Sequence, residues 1–226
     1  MKQVTGWWFG REDRKLGYDD DREIVIGKTH IVVGEIIPCK RGLHLSKRLL
    51  DALNHAPGPV IYKVRGSGII VPHGDPVDKY ACSERTYLAG GVDISETLRA
   101  FARSCALEVV HLWNAPEIVI EYLKTGDRKL RAEAQDAAWA AAQVVWTADW
   151  AAWAVQEAAW TAAQAADWAA QDAAWAADWA ARDAQDVRAA QDAARAAARA
   201  AARDVWAVQE KQNKQLTIMV NDILRG

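Results

Sequence analysis

Two residues of reactive type stand two apart in the run RGLHLS, residues 41–46: His44 and Ser46. A third, Arg65, follows in VRGSG. An apolar-periodic segment, SKRLLDALNHAPG, starts at Ser46, so the spacing predicts a strand feeding a helix there, with Ser46 as the N-cap. The start of a helix presents free N–H groups that hold phosphate or carboxylate. With Arg41, Arg65, Tyr62 and Glu108 as partners, His44 and Ser46 outline a nucleotide-handling pocket. The same types also do structural work, Ser as a cap and His as a packed, hydrogen-bonded side chain. The chain has no Walker loop, G-x-S-x-G, H-E-x-x-H or G-x-G-x-x-G, and the balance is against an enzyme. RGSGII reads as a hairpin turn between two strands.

Metal and cofactor chemistry have less to build on. His30, His55, His73 and His111 share no i, i+3 or i, i+4 spacing, and Cys39, Cys82 and Cys105 are odd in number with no C-x-x-C. Neither a zinc site nor a disulfide framework is implied, and no cofactor. Three separate thiols suit a reducing compartment.

A second set of residues lies in the last hundred. Trp139, Trp146, Trp150, Trp153, Trp160, Trp168, Trp175 and Trp179 are eight of the chain's twelve tryptophans, set in alanine. At about 100° per residue they fall on one helical stripe. Asp149, Asp167 and Asp178 border it as a rim that would set register. Eight buried tryptophans represent well over ~1,000 Å² of apolar surface, on the order of 30 kcal/mol gross, which something must cover. Flanking carboxylates disfavour nucleic acid and an anionic membrane surface. Copies of the same helix are the expected cover, either between chains, as a homo-oligomer of more than two chains since the stripe is broader than a two-stranded seam, or through hairpin folding within one chain. An unknown protein partner is the alternative. Further on, Arg195, Arg199 and Arg203 are interleaved with acids, which offsets a basic stripe.

The elements that position these residues divide near residue 127. Residues 1–126 read as an α+β head, a mostly antiparallel sheet with a few helices. The runs VTGWWFG, EIVIG, THIVVGEII, PVIYKVRGSGIIV and YACSERTYL are its expected strands. Of the adjacent Trp7 and Trp8, one is expected to face the core and the other to cover an edge. DISETLRAFARSCALEVVHLWNAP predicts a helix with a capping box of Asp93 and Glu96, and PEIVIEYLKTG a shorter one between Pro116 and Gly126. From Asp127 to about Glu210 there is neither Gly nor Pro. Alanine-rich composition there predicts one very long helix, ~80 residues or on the order of 120 Å, with residues 127–226 serving assembly. In KQLTIMVNDILRG, Leu216, Met219, Val220 and Ile223 have helical spacing.

CKRGLHLSKRLLDALNHAPGPVIYKVRGSG, with SERTYL and ETLRAFARSCALEVVHLW, resembles an uncharacterised domain of phage and bacterial proteins, many of which continue into Ala/Trp/Arg-rich helical tails. The resemblance implies a phage-linked layout of head and tail and carries no catalytic signature. The 226 residues have a net charge of −2, which gives no global pull toward polyanions. The first residues lack the apolar core of a signal peptide, and no run of ~18 apolar residues exists, so a soluble cytoplasmic protein is expected. The reading is a structural or interaction protein that displays the head on a self-assembling helix.

Overall fold

In the computed structural model of the chain, the structure describes residues 3–17, 20–152, 195–196 and 205–225. Five strands form one antiparallel sheet: β1 (Val4–Gly10), β2 (Thr29–Ile31), β3 (Leu43–Leu45), β4 (Val60–His73) and β5 (Lys79–Asp93). The order runs β1-β4-β5, and β2 and β3 both pair with β5, at Glu84–Thr86 and Tyr80–Cys82. Alternation of apolar and polar residues in β1, β4 and β5 lines one face with a core. Leu43, Leu45, Val60, Tyr62, Val64, Cys82 and Tyr87 pack there, and Leu16 and Ile24 close over them from the connection between β1 and β2. The α+β class expected from the sequence is present.

Three expectations about the sheet change. EIVIG is not a strand: Gly27, at φ +86, turns the chain before β2, and Val25 and Ile26 are exposed. THIVVGEII contributes only Thr29–Ile31. RGSG is not a hairpin turn, because β4 runs through it. Gly68, at φ +73, sits where the register with β5 shifts, and the displaced Ile69 N–H goes to Ser83 Oγ at 2.9 Å. A β-bulge therefore takes up the glycines. The reversal lies between His73 and Lys79, where Asp78 N–H reaches the His73 carbonyl at 3.1 Å.

The helices are α1 (Leu49–Asn54), α2 (Ser95–Val109) with a 3-10 turn at Val110–Leu112, α3 (Glu117–Thr125), α4 (Arg131–Ala152) and α5 (Val205–Arg225). Pro116 and a left-handed Gly126 bound α3 as the sequence predicts. The expected Asp93–Glu96 capping box on α2 is replaced by a bond one residue earlier. Asp93 Oδ1 accepts the Ser95 N–H at 2.8 Å, while the Glu96 carboxylate binds Arg99 and Arg128. α4 and α5 are the described helical parts of the alanine-rich tail. Residues 153–194 and 197–204 lie outside the description, so the expected single helix through Glu210 crosses them.

Two compact units are recognised: Met1–Ser95 with Asn213–Gly226, and Glu96–Gln212. The boundary expected near residue 127 falls inside the second. In the first unit the end of α5 is part of the head: Leu216 and Val220 are fully buried. Asn213 Oδ1 also accepts the Leu50 N–H at 3.0 Å, satisfying one of the amides that the first turn of α1 leaves open. In the second unit α3 packs against α4. Val119, Tyr122 and Leu123 are buried on α3, and Ala134 and Ala138 on α4.

Candidate functional site

Ser46 does not cap α1. The N-cap is Arg48, with no side-chain cap bond, and Asn213 supplies the partner that Ser46 was expected to be. Ser46 is buried, and its backbone joins β1: Trp7 N–H donates to the Ser46 carbonyl at 2.8 Å and Ser46 N–H to the Trp7 carbonyl at 3.0 Å. Its amide is thus committed and cannot hold an anion. Gly6 allows this approach, because a Cβ there would stand 2.2 Å from the Ser46 carbonyl oxygen. Arg65 lies on β4 opposite Thr5 and Thr86, and its side chain makes no hydrogen bond or ion pair among the described residues. Tyr62 is a core residue, and Glu108 belongs to the other unit, paired with Lys211 at 3.1 Å. The outlined pocket is therefore not assembled from these side chains.

His44 does sit in a connected polar network, which Arg85 organises. Arg85 is 2% exposed, yet among the described residues no carboxylate lies within ion-pair distance. Its guanidinium donates to the His44 carbonyl at 2.7 Å through Nη1, and to Tyr87 Oη at 3.2 Å through Nε and 2.8 Å through Nη2. The Trp8 ring lies 3.9 Å away beneath it, a cation–π contact. Tyr87 Oη also meets His30 Nδ1 at 3.2 Å. Burial raises the Tyr87 hydroxyl, with Arg85 opposing, and burial lowers His30. The tryptophan pair is packed on both sides: Trp8 with Tyr62, Tyr87 and Arg85, and Trp7 under the Lys63 ammonium at 3.8 Å.

From His44 the network runs outward to a residue that sequence reasoning set aside. His44 Nε2 accepts the Cys39 N–H at 3.2 Å. Burial, reinforced by Lys79 and Arg85, pushes the imidazole down to about 4, so it is neutral near pH 7 with its proton on Nδ1. Cys39 is exposed at the tip of a tight turn, with Lys40 N–H donating to the Ile37 carbonyl at 3.0 Å. Pro38 stands second in that turn and Cys39 third, at φ +64, the arrangement of a type II turn in which glycine is usual. The Cys39 Sγ lies 3.7 Å from His73 Nε2. Nearby, His55 Nε2 meets Asp78 Oδ2 at 3.0 Å. Cys39 and His73 are 34 residues apart and meet only because the β4–β5 hairpin ends beside the β3 turn. No local spacing could have signalled it. Among the described residues no group of three or more His, Cys, Asp or Glu is placed to hold a metal ion.

On the tail, burial separates the faces of α4. Ala134 and Ala138 are buried, whereas Trp139 is 46% exposed with Asp136 exposed beside it. Trp146, Asp149 and Trp150 fall on the backbone of α4, and their side chains lie outside the description. Trp153, Trp160, Asp167, Trp168, Trp175, Asp178 and Trp179 lie outside the described residues. Among the described residues no helix is long and apolar enough to cross a membrane. No protein-family model, no curated protein and no solved structure matches the chain.

Proposed function

We propose that the chain is a self-associating interaction protein, in which an α+β head is carried on an Ala/Trp helix and assembles in groups of more than two chains. The observation behind this reading is on α4, where Ala134 and Ala138 are buried in the unit while Trp139 is 46% exposed. Small side chains let a helix approach its neighbour closely, so the alanine face serves internal packing. We assign the partner-facing role to the tryptophan stripe that starts at the half-exposed Trp139. Trp146 and Trp150 follow Trp139 by seven and eleven residues, within ~20° of it around a helix. Indole surface of this extent is costly to leave in water. The exposed Asp136 beside Trp139 makes phosphate or an anionic lipid surface a poor cover, while the same face of a sister copy suits it.

Light scattering on the full chain tests this reading. The wild type is expected to run as an oligomer, and the triple variant Trp139→Gln, Trp146→Gln, Trp150→Gln as a monomer of unchanged helix content. A wild-type monomer at every concentration, or a variant that keeps the wild-type mass, overturns it.

A further inference from the structure

We propose that Cys39 is a thiol-exchange site, which with His73 as its proton acceptor takes up a small carboxylate-bearing thiol from the corresponding disulfide. Both side chains are exposed, and Sγ stands 3.7 Å from Nε2, so the thiol proton has an acceptor already in hydrogen-bonding reach. The thiolate is the nucleophile in such exchange.

The turn itself selects the reaction. Acyl transfer needs N–H donors aimed at a developing oxyanion. Here the Cys39 N–H is held by His44 Nε2, and the Lys40 and Arg41 N–H groups both go to the Ile37 carbonyl, at 3.0 and 2.8 Å. No backbone donor of the turn remains for an oxyanion. Displacement at sulfur develops no oxyanion and needs none. Lys40 and Arg41 adjoin Cys39, and Lys79 stands opposite His73 in the β4–β5 ladder, while the nearby Asp78 is engaged by His55. These cations suit a disulfide bearing carboxylates.

The Cys39 S–H proton passes to His73 Nε2, and the thiolate attacks one sulfur of R–S–S–R. A bond forms between Cys39 Sγ and that sulfur as the original S–S bond breaks. The departing R–S⁻ takes the proton from the His73 imidazolium and leaves as R–SH. Cys39 is oxidised and the departing thiol reduced. The chain has only two other cysteines, both fully buried, and Cys82 Sγ donates to the Leu43 carbonyl at 2.8 Å. With no resolving thiol on the surface, the mixed disulfide persists until an external thiol removes it.

The test uses the full chain and glutathione disulfide, with intact-mass spectrometry and peptide mapping. One adduct is expected, on Cys39, reversed by dithiothreitol and absent in Cys39→Ser. Its rate should exceed that of a free peptide spanning residues 36–42. In His73→Gln, checked for an unchanged circular dichroism spectrum, the rate should fall about tenfold or more, a threshold set below the ~100-fold that a well-positioned base supplies at the least. An adduct on Cys82 or Cys105, a rate no faster than the peptide's, or equal rates in the wild type and His73→Gln would each overturn the proposal.

Discussion

Arg85 is the most informative residue to perturb, because its burial and its hydrogen bonds act in opposite directions. Removing a guanidinium from water costs several kcal/mol, and no carboxylate among the described residues offsets it. Three hydrogen bonds, to the His44 carbonyl and Tyr87 Oη, and the Trp8 ring at 3.9 Å do so instead. Hydrogen bonds to a charged donor are worth roughly 1.5–3 kcal/mol each and the ring contact ~1–2. Arg85→Ala takes the guanidinium from the buried His44 carbonyl at ~1–3 kcal/mol, leaves Tyr87 Oη with His30 as its partner and opens a cavity, against which the recovered desolvation is credited, for a net loss of about 3–4 kcal/mol. Arg85→Met also relieves the buried charge but fills the space, and Tyr87 Oη keeps His30 as a partner, so the loss falls to about 1–2 kcal/mol. Arg85→Lys keeps a more strongly hydrated charge without the planar fork and should cost at least 3 kcal/mol, more than Met does. Urea unfolding of the full chain, read by amide hydrogen exchange at Ser46 and Cys82, gives the order. Finding Lys less damaging than Met, or Ala within about 1 kcal/mol of wild type, refutes the reasoning.

His44 carries a pH dependence. Its folded value, pushed down to about 4 from the usual 6.5, means that the unfolded chain binds the extra proton between those values. Stability should therefore be unaffected by this group above pH 6.5, fall as pH drops toward 4 by on the order of 2–3 kcal/mol, and level off below. His44→Gln should flatten most of that slope in a series of chemical unfolding curves, and an unchanged slope counts against the buried neutral imidazole. Gly6→Ala should force β1 away from residue 46 and cost about 2–4 kcal/mol, two backbone hydrogen bonds and the packing behind them, seen as a lowered urea midpoint; a midpoint within error of wild type contradicts the close approach. Asn213→Ala should cost ~1 kcal/mol and speed exchange of the Leu50 amide, whereas Ser46→Ala leaves that amide protected; the reverse pattern would return the cap to Ser46.

What could be read in the sequence is what local pattern determines. The alternation through Val60–Val64 and Tyr80–Tyr87 fixes two central strands, and Pro116 and Gly126 mark α3 because each acts within its own turn of helix. RGSG misleads because paired glycines serve a hairpin and a β-bulge equally well, and only the partner strand decides between them. β3 is three residues long, and it shows in RGLHLS only as the strand expected to feed the following helix. The cap of α1 comes from 163 residues away, and the thiol–imidazole pair spans 34, so neither leaves a local trace. On α4 the alanine and tryptophan positions were legible, but which of them turns inward depends on α3.

The burial that neutralises His44 also decides what Cys39 can do. A protonated imidazole could only donate, and the Cys39 amide would then lose its acceptor and become available to an oxyanion. Held neutral, with its carbonyl anchored by Arg85, His44 keeps Nε2 as an acceptor and occupies that amide. Loosening the anchor should accordingly register at the turn: in Arg85→Met the Cys39 amide exchanges faster than in the wild type, while amides of α3, in the other unit, do not change. If the Cys39 amide is equally protected in both, the turn holds itself through Ile37 alone, and the link from the core to the thiol fails.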